Sequence, residues 1–128
     1  MNGNDRRGRA LALLARLDPA APSRVASNLD GLSPDFLELV LGFAFADIVS
    51  RPGIDLKTRE MLTVSALMAM GTAPEQLEFH IRAALHTGVT REEIVEILLQ
   101  IAVYAGVPAC MNGVSAARKA FAVHDATP

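Results

Sequence analysis

In the stretch Glu75 to His86, EQLEFHIRAALH, one histidine stands among apolar residues at helical spacing. Residues three and four apart share a helix face, so Leu77, His80, Ile81, Ala84 and Leu85 point one way. Glu75, Glu78, Arg82 and Thr87 are left to other sides. An imidazole on a face meant for burial must find a hydrogen-bond partner, because an unsatisfied buried polar group costs about 1–3 kcal/mol. His80 is therefore either a satisfied core histidine or a group that moves protons.

Other side chains able to do chemistry near it are Arg51 at a loop, Arg59, and the i, i+4, i+8 stripe Glu96, Gln100, Tyr104. These are expected to face the same interior. Each has a plainer role. Arg51 can cap the preceding helix, whose C-terminal carbonyls favour a cation. Arg59 can pair with Asp55 or Glu60 on the surface, Glu96 can be a solvated ion-pair partner, and Tyr104 can simply pack with its hydroxyl bonded. No metal site is expected: His80 and His86 are six apart, on different faces, and no carboxylate completes a metal-binding spacing. His86 suits the end of a helix dipole and His124 falls in a tail expected to be frayed. Cys110, the single cysteine, reads as a small packed residue and suits a reducing cytoplasm.

The elements that must position these groups are helices. Apolar residues recur at helical spacing almost throughout, and alternating β-branched runs are absent, which predicts an all-α chain of about six helices in a compact bundle. An N-terminal helix over roughly Asp5 to Leu17 and an Ala/Pro/Ser-rich linker, Asp18 to Asn28, form residues 1–28. The main helical domain is 29–121, and 122–128 is a frayed tail. Ser33-Pro34 opens a helix to about Ser50, and Asp55 precedes one over Leu56 to Met70. Thr72/Glu75 and Thr90/Glu93 are capping-box patterns, Gly71, Gly88 and Gly106 are stops, and Pro108 starts the last helix.

With 128 residues, 51% hydrophobic and 20% charged, and a mean hydropathy of +0.28, the chain holds more apolar surface than one small domain hides. A homo-oligomer is expected. A net charge of -2 with no basic block disfavours nucleic acid. The apolar run Ala10 to Ala15 is too short for a secretory core, and Leu39 to Ala46 and Ile101 to Met111 are too short to span a membrane, so no membrane partner is expected; with the single cysteine, a cytoplasmic location is expected.

Several linked segments resemble the carboxymuconolactone decarboxylase family: Ser50-Arg51-Pro52-Gly53-Ile54, Arg59-Glu60-Met61-Leu62-Thr63, Leu77-Glu78-Phe79-His80, Gly88 to Glu96, and Tyr104-Ala105-Gly106-Val107-Pro108-Ala109. The resemblance runs from about Leu29 to Phe121 in the family's order and spacing. It implies an all-α fold, a trimeric or hexameric homo-oligomer, a small-molecule substrate, and, in the founding branch, cofactor-free conversion of γ-carboxymuconolactone to the β-ketoadipate enol-lactone. Loss of CO2 leaves electron density on the lactone carbonyl, so such a site needs a donor there and an acid to protonate carbon. The resemblance assigns catalysis to His80 as proton donor or lactone polariser, Arg51 as carboxylate clamp and Glu96 as the group orienting the imidazole. Phe45, Val49, Arg59 and Tyr104 would line the substrate pocket.

Two departures bear on substrate and chemistry. Phe45 and Val49 stand where the decarboxylase branch carries tryptophans, which reshapes the pocket and leaves open a related rearrangement or cyclisation, beside a non-catalytic oligomeric binding protein. The related alkylhydroperoxidase D branch has a Cys-x-x-Cys pair where this chain has Ala73 and Gln76, so thiol peroxidase chemistry lacks its nucleophile.

Overall fold

The computed structural model describes residues 3–127, with side chains from residue 5 onward; Met1, Asn2 and Pro128, at the ends of the expected N-terminal segment and tail, lie outside the described residues. Every element among the described residues is helical: α1 (Gly3–Leu17), α2 (Ala21–Leu32), α3 (Phe36–Leu41) running into a π-helical segment (Gly42–Val49), α4 (Leu56–Met70), α5 (Pro74–His86), α6 (Arg91–Tyr104) and α7 (Val107–Ala126). The chain divides into two compact units, residues 1–56 and 57–128.

In the first unit, α1 packs against α2, α3 and the π-helical segment. The expected linker is helical from Ala21, because Pro22 sits in the first turn of α2, where a missing N–H costs nothing, and so starts a helix instead of breaking one. The single helix expected from Ser33 to Ser50 widens at Gly42. There the backbone lies under the Arg6 side chain, close enough that an added Cβ would be 3.1 Å from Arg6 Nε. The Arg6 guanidinium reaches Asp47 at 2.7 Å, and the Ser50 N–H donates to the Phe45 carbonyl five residues back. A widened turn of this kind is often found at functional sites.

The second unit is built on a shared core of Val64 and Met68 from α4, Leu77, Ile81 and Ala84 from α5, Ile94, Leu98 and Ile101 from α6, and Ala116, Ala117 and Ala120 from α7. Its boundaries follow the expected punctuation closely. The Thr90 hydroxyl accepts from the Glu93 N–H while Glu93 accepts from the Thr90 N–H, completing the capping box, and Lys57 pairs with Glu93 at 3.2 Å. Gly71 and Gly88 take the positive φ angles, +70° and +103°, that end α4 and α5. The Thr72/Glu75 box does not form: Ala73 is the cap of α5, without a side-chain bond, and Pro74 opens the helix. The last helix continues past Phe121 to Ala126, held where Arg91 of α6 lies over the Phe121 ring and pairs with Asp125.

The tightest glycine position is Gly113 of α7, where a Cβ would come within 2.8 Å of Leu98 Cδ2 and 2.9 Å of Met68 Cγ. Alanine gains about 1 kcal/mol of helix propensity over glycine, but overpacking a filled core costs about 1–3 kcal/mol. Because Leu98 and Met68 are both buried, the steric cost prevails. Gly113→Ala is expected to lower stability by about 1 kcal/mol net, read as a shift in the denaturant midpoint.

Candidate active site

Helix α4 buries Glu60, Val64 and Met68, one stripe at i, i+4, i+8. A glutamate therefore stands on an otherwise apolar face. Helix α5 buries Leu77, Ile81, Ala83 and Ala84, and His80 lies at the edge of that face. The two polar groups meet. His80 Nδ1 is 2.8 Å from Glu60 Oε1, with the glutamate side chain 1% and the histidine side chain 15% exposed.

This pairing defines the chemistry available. An ionised carboxylate can only accept a hydrogen bond, so pairing with it holds a proton on Nδ1 and leaves Nε2 as the nitrogen able to exchange one. The Phe79 ring meets the imidazole edge-on, with centroids 5.1 Å apart and planes at 88°, and Arg82 lies 5.9 Å over that same ring while bonding Glu78 at 3.2 Å. The imidazole is thus fixed on one side by a buried carboxyl group and flanked on another by an aromatic wall.

The structure fills the place expected for Glu96 with Glu60: the carboxylate at Nδ1 comes from α4. Glu96, Gln100 and Tyr104 form the expected stripe on α6, but it is exposed, with Tyr104 81% accessible in the chain. Arg59, next to Glu60, is half-buried, and the Glu60 carboxylate, instead of lying at the surface, is buried and turned to His80. Arg51, Phe45 and Val49 belong to the first unit. Arg51 is exposed just after the π-helical segment, its N–H donating to the Ile48 carbonyl, and Phe45 and Val49 are half-buried within that segment. A cleft of about 440 Å³ between α4, α5 and α7, lined by Leu67, Met68, Leu77, Glu78, Ser115 and Lys119 among others, contains neither His80 nor Glu60.

Sequence reasoning passed over Glu60. The signal was there, since Glu60, Val64 and Met68 repeat at the spacing that singled out His80. The adjacent Arg59 made Glu60 look like half of a surface ion pair.

Residues 34–119 match the model of the carboxymuconolactone decarboxylase family. The chain is 35% identical over 99 residues to 4-carboxymuconolactone decarboxylase of Acinetobacter baylyi, covering 77% of this chain and 73% of that protein. It is 36% identical over 92 residues to an uncharacterised 15.0 kDa protein of Paracoccus denitrificans, covering 71% and 66%. It is 37% identical over 82 residues to nitrosuccinic acid decarboxylase of Metarhizium robertsii, covering 64% and 57%. With the family's model matched over two thirds of its length, the chain belongs to the carboxymuconolactone decarboxylase family.

Proposed function

We propose that this protein is a cofactor-independent decarboxylase of a small lactone acid, with His80 as the acid that protonates carbon and Glu60 as the residue that positions it. The observation that carries this reading is the 2.8 Å contact of His80 Nδ1 with a carboxylate that is 1% exposed. A decarboxylase activity is supported by two relatives named for one, acting on 4-carboxymuconolactone and on nitrosuccinic acid. A lactone carbonyl and a nitro group are both electron acceptors. An acid carrying either can hold within itself the electron pair released with CO2, and we assign this chain that class of substrate.

In the proposed step the bond between the carboxylate and the substrate carbon breaks. Its electron pair moves into the conjugated carbonyl, and the proton on His80 Nε2 passes to carbon. The imidazolium becomes a neutral imidazole that keeps its Nδ1 proton toward Glu60, and solvent restores the proton on Nε2. Arg51 is assigned the substrate carboxylate on the chemistry of its forked guanidinium and its exposure. Phe45 and Val49 in place of tryptophans favour one second reading, a rearrangement or cyclisation of a related acid run by the same His80.

The protein is also proposed to act as a homo-oligomer. On α6, Val95, Leu99 and Val103 form an exposed apolar stripe, with Val103 74% accessible, and Val107 and Met111 of α7 are exposed as well. A partner subunit would cover such a surface. Among the described residues no helix is long and apolar enough to cross a membrane.

The experiment is turnover of γ-carboxymuconolactone by the purified protein, followed as loss of lactone absorbance with release of CO2. Saturable turnover is expected. An inactive protein that retains its helical spectrum and assembly state would overturn the substrate assignment.

A further inference from the structure

Six residues beyond His80 along α5, three helix ends converge. His86 lies in the last turn of α5 and His124 in the last turn of α7, while Arg91 opens α6 and is paired with Asp125. The two imidazoles are 5.3 Å apart between centroids and tilted by 51°. His124 Nδ1 is buried with no hydrogen-bond partner. A buried ring nitrogen left in that state calls for a water or an ion to complete it.

The geometry points to a divalent transition-metal site, of the zinc class, held by His86 and His124. A tetrahedral ion bound by two imidazole nitrogens at about 2.0–2.1 Å sets the ring centroids about 5.2 Å apart, which matches the observed separation. Two helix C-termini meet at the pair, and their carbonyl ends favour a cation. Asp125 neutralises Arg91, the nearby fixed positive charge. Among the described residues no group of three or more His, Cys, Asp or Glu side chains is placed to hold a metal. The ion therefore takes two protein ligands and completes its shell with solvent. Once bound, it staples the last turn of α7 to the end of α5.

Zinc chloride titrated into the full chain, followed by calorimetry, tests this. One zinc per chain is expected. Because the second ligand acts at the high effective concentration set by the fold, His86→Gln and His124→Gln should each weaken binding by about tenfold or more. A second measurement does not depend on how the variants fold: in the wild-type protein, zinc should shift the imidazole NMR signals of His86 and His124 and leave that of His80 in place. Absence of binding, binding unaffected by either substitution, or movement of the His80 signal alone would overturn the proposal.

Discussion

His80→Gln is expected to lower the decarboxylation rate by about 10²–10⁴-fold, the range in which a positioned acid contributes to a proton transfer. Glutamine still offers an N–H to the Glu60 carboxylate, which keeps the local hydrogen bond of the pair, but it has no proton to give to carbon. The loss should fall on kcat with KM little changed, because the proton moves in the transition state and not on binding. Steady-state kinetics on protein with an unchanged helical spectrum checks it. A variant that retains wild-type kcat would remove His80 from the chemistry.

The largest effect on stability should come from His80→Ala, and it should exceed that of Glu60→Gln even though Glu60 is the more deeply buried partner. Removing the imidazole leaves a carboxylate that is 1% exposed without its partner, and stranding one member of a buried pair costs about 3–5 kcal/mol. Glu60→Gln leaves a neutral amide whose carbonyl still accepts from the imidazole, so the loss is that of a weakened hydrogen bond, about 1–2 kcal/mol. Urea denaturation of the two variants beside wild type gives the comparison. Equal destabilisation, or a larger cost for Glu60→Gln, would mean that the carboxylate is not held as a charge by His80.

What could be read in the chain beforehand was the part governed by near neighbours. The Thr90/Glu93 box, the stops at Gly71 and Gly88, and the burial of Leu77, Ile81 and Ala84 around His80 all depend on residues within a turn of one another, and all appear where expected. What could not be read depends on contacts between distant segments. Gly42 begins a π-helical turn where Arg6, from α1, lies over it and reaches Asp47, 41 residues along the chain. The tail after Phe121 stays helical where Arg91, 34 residues before Asp125, pairs with it. The polar stripe of α6 points to Glu96 as the carboxylate beside the imidazole. The carboxylate that meets Nδ1 is Glu60 of α4, which periodicity places on the core face beside an arginine that makes it look like half of a surface ion pair.

The central claim, that Glu60 and His80 act as one unit, is tested most directly by a double-mutant cycle on kcat with Glu60→Gln, His80→Gln and the double variant. If Glu60 works through the imidazole, its loss costs activity when His80 is present and nothing further once His80 is gone, so the double variant matches His80→Gln. Losses that instead multiply, leaving the double variant slower than His80→Gln by the full factor of Glu60→Gln, would show two independent groups and contradict the account.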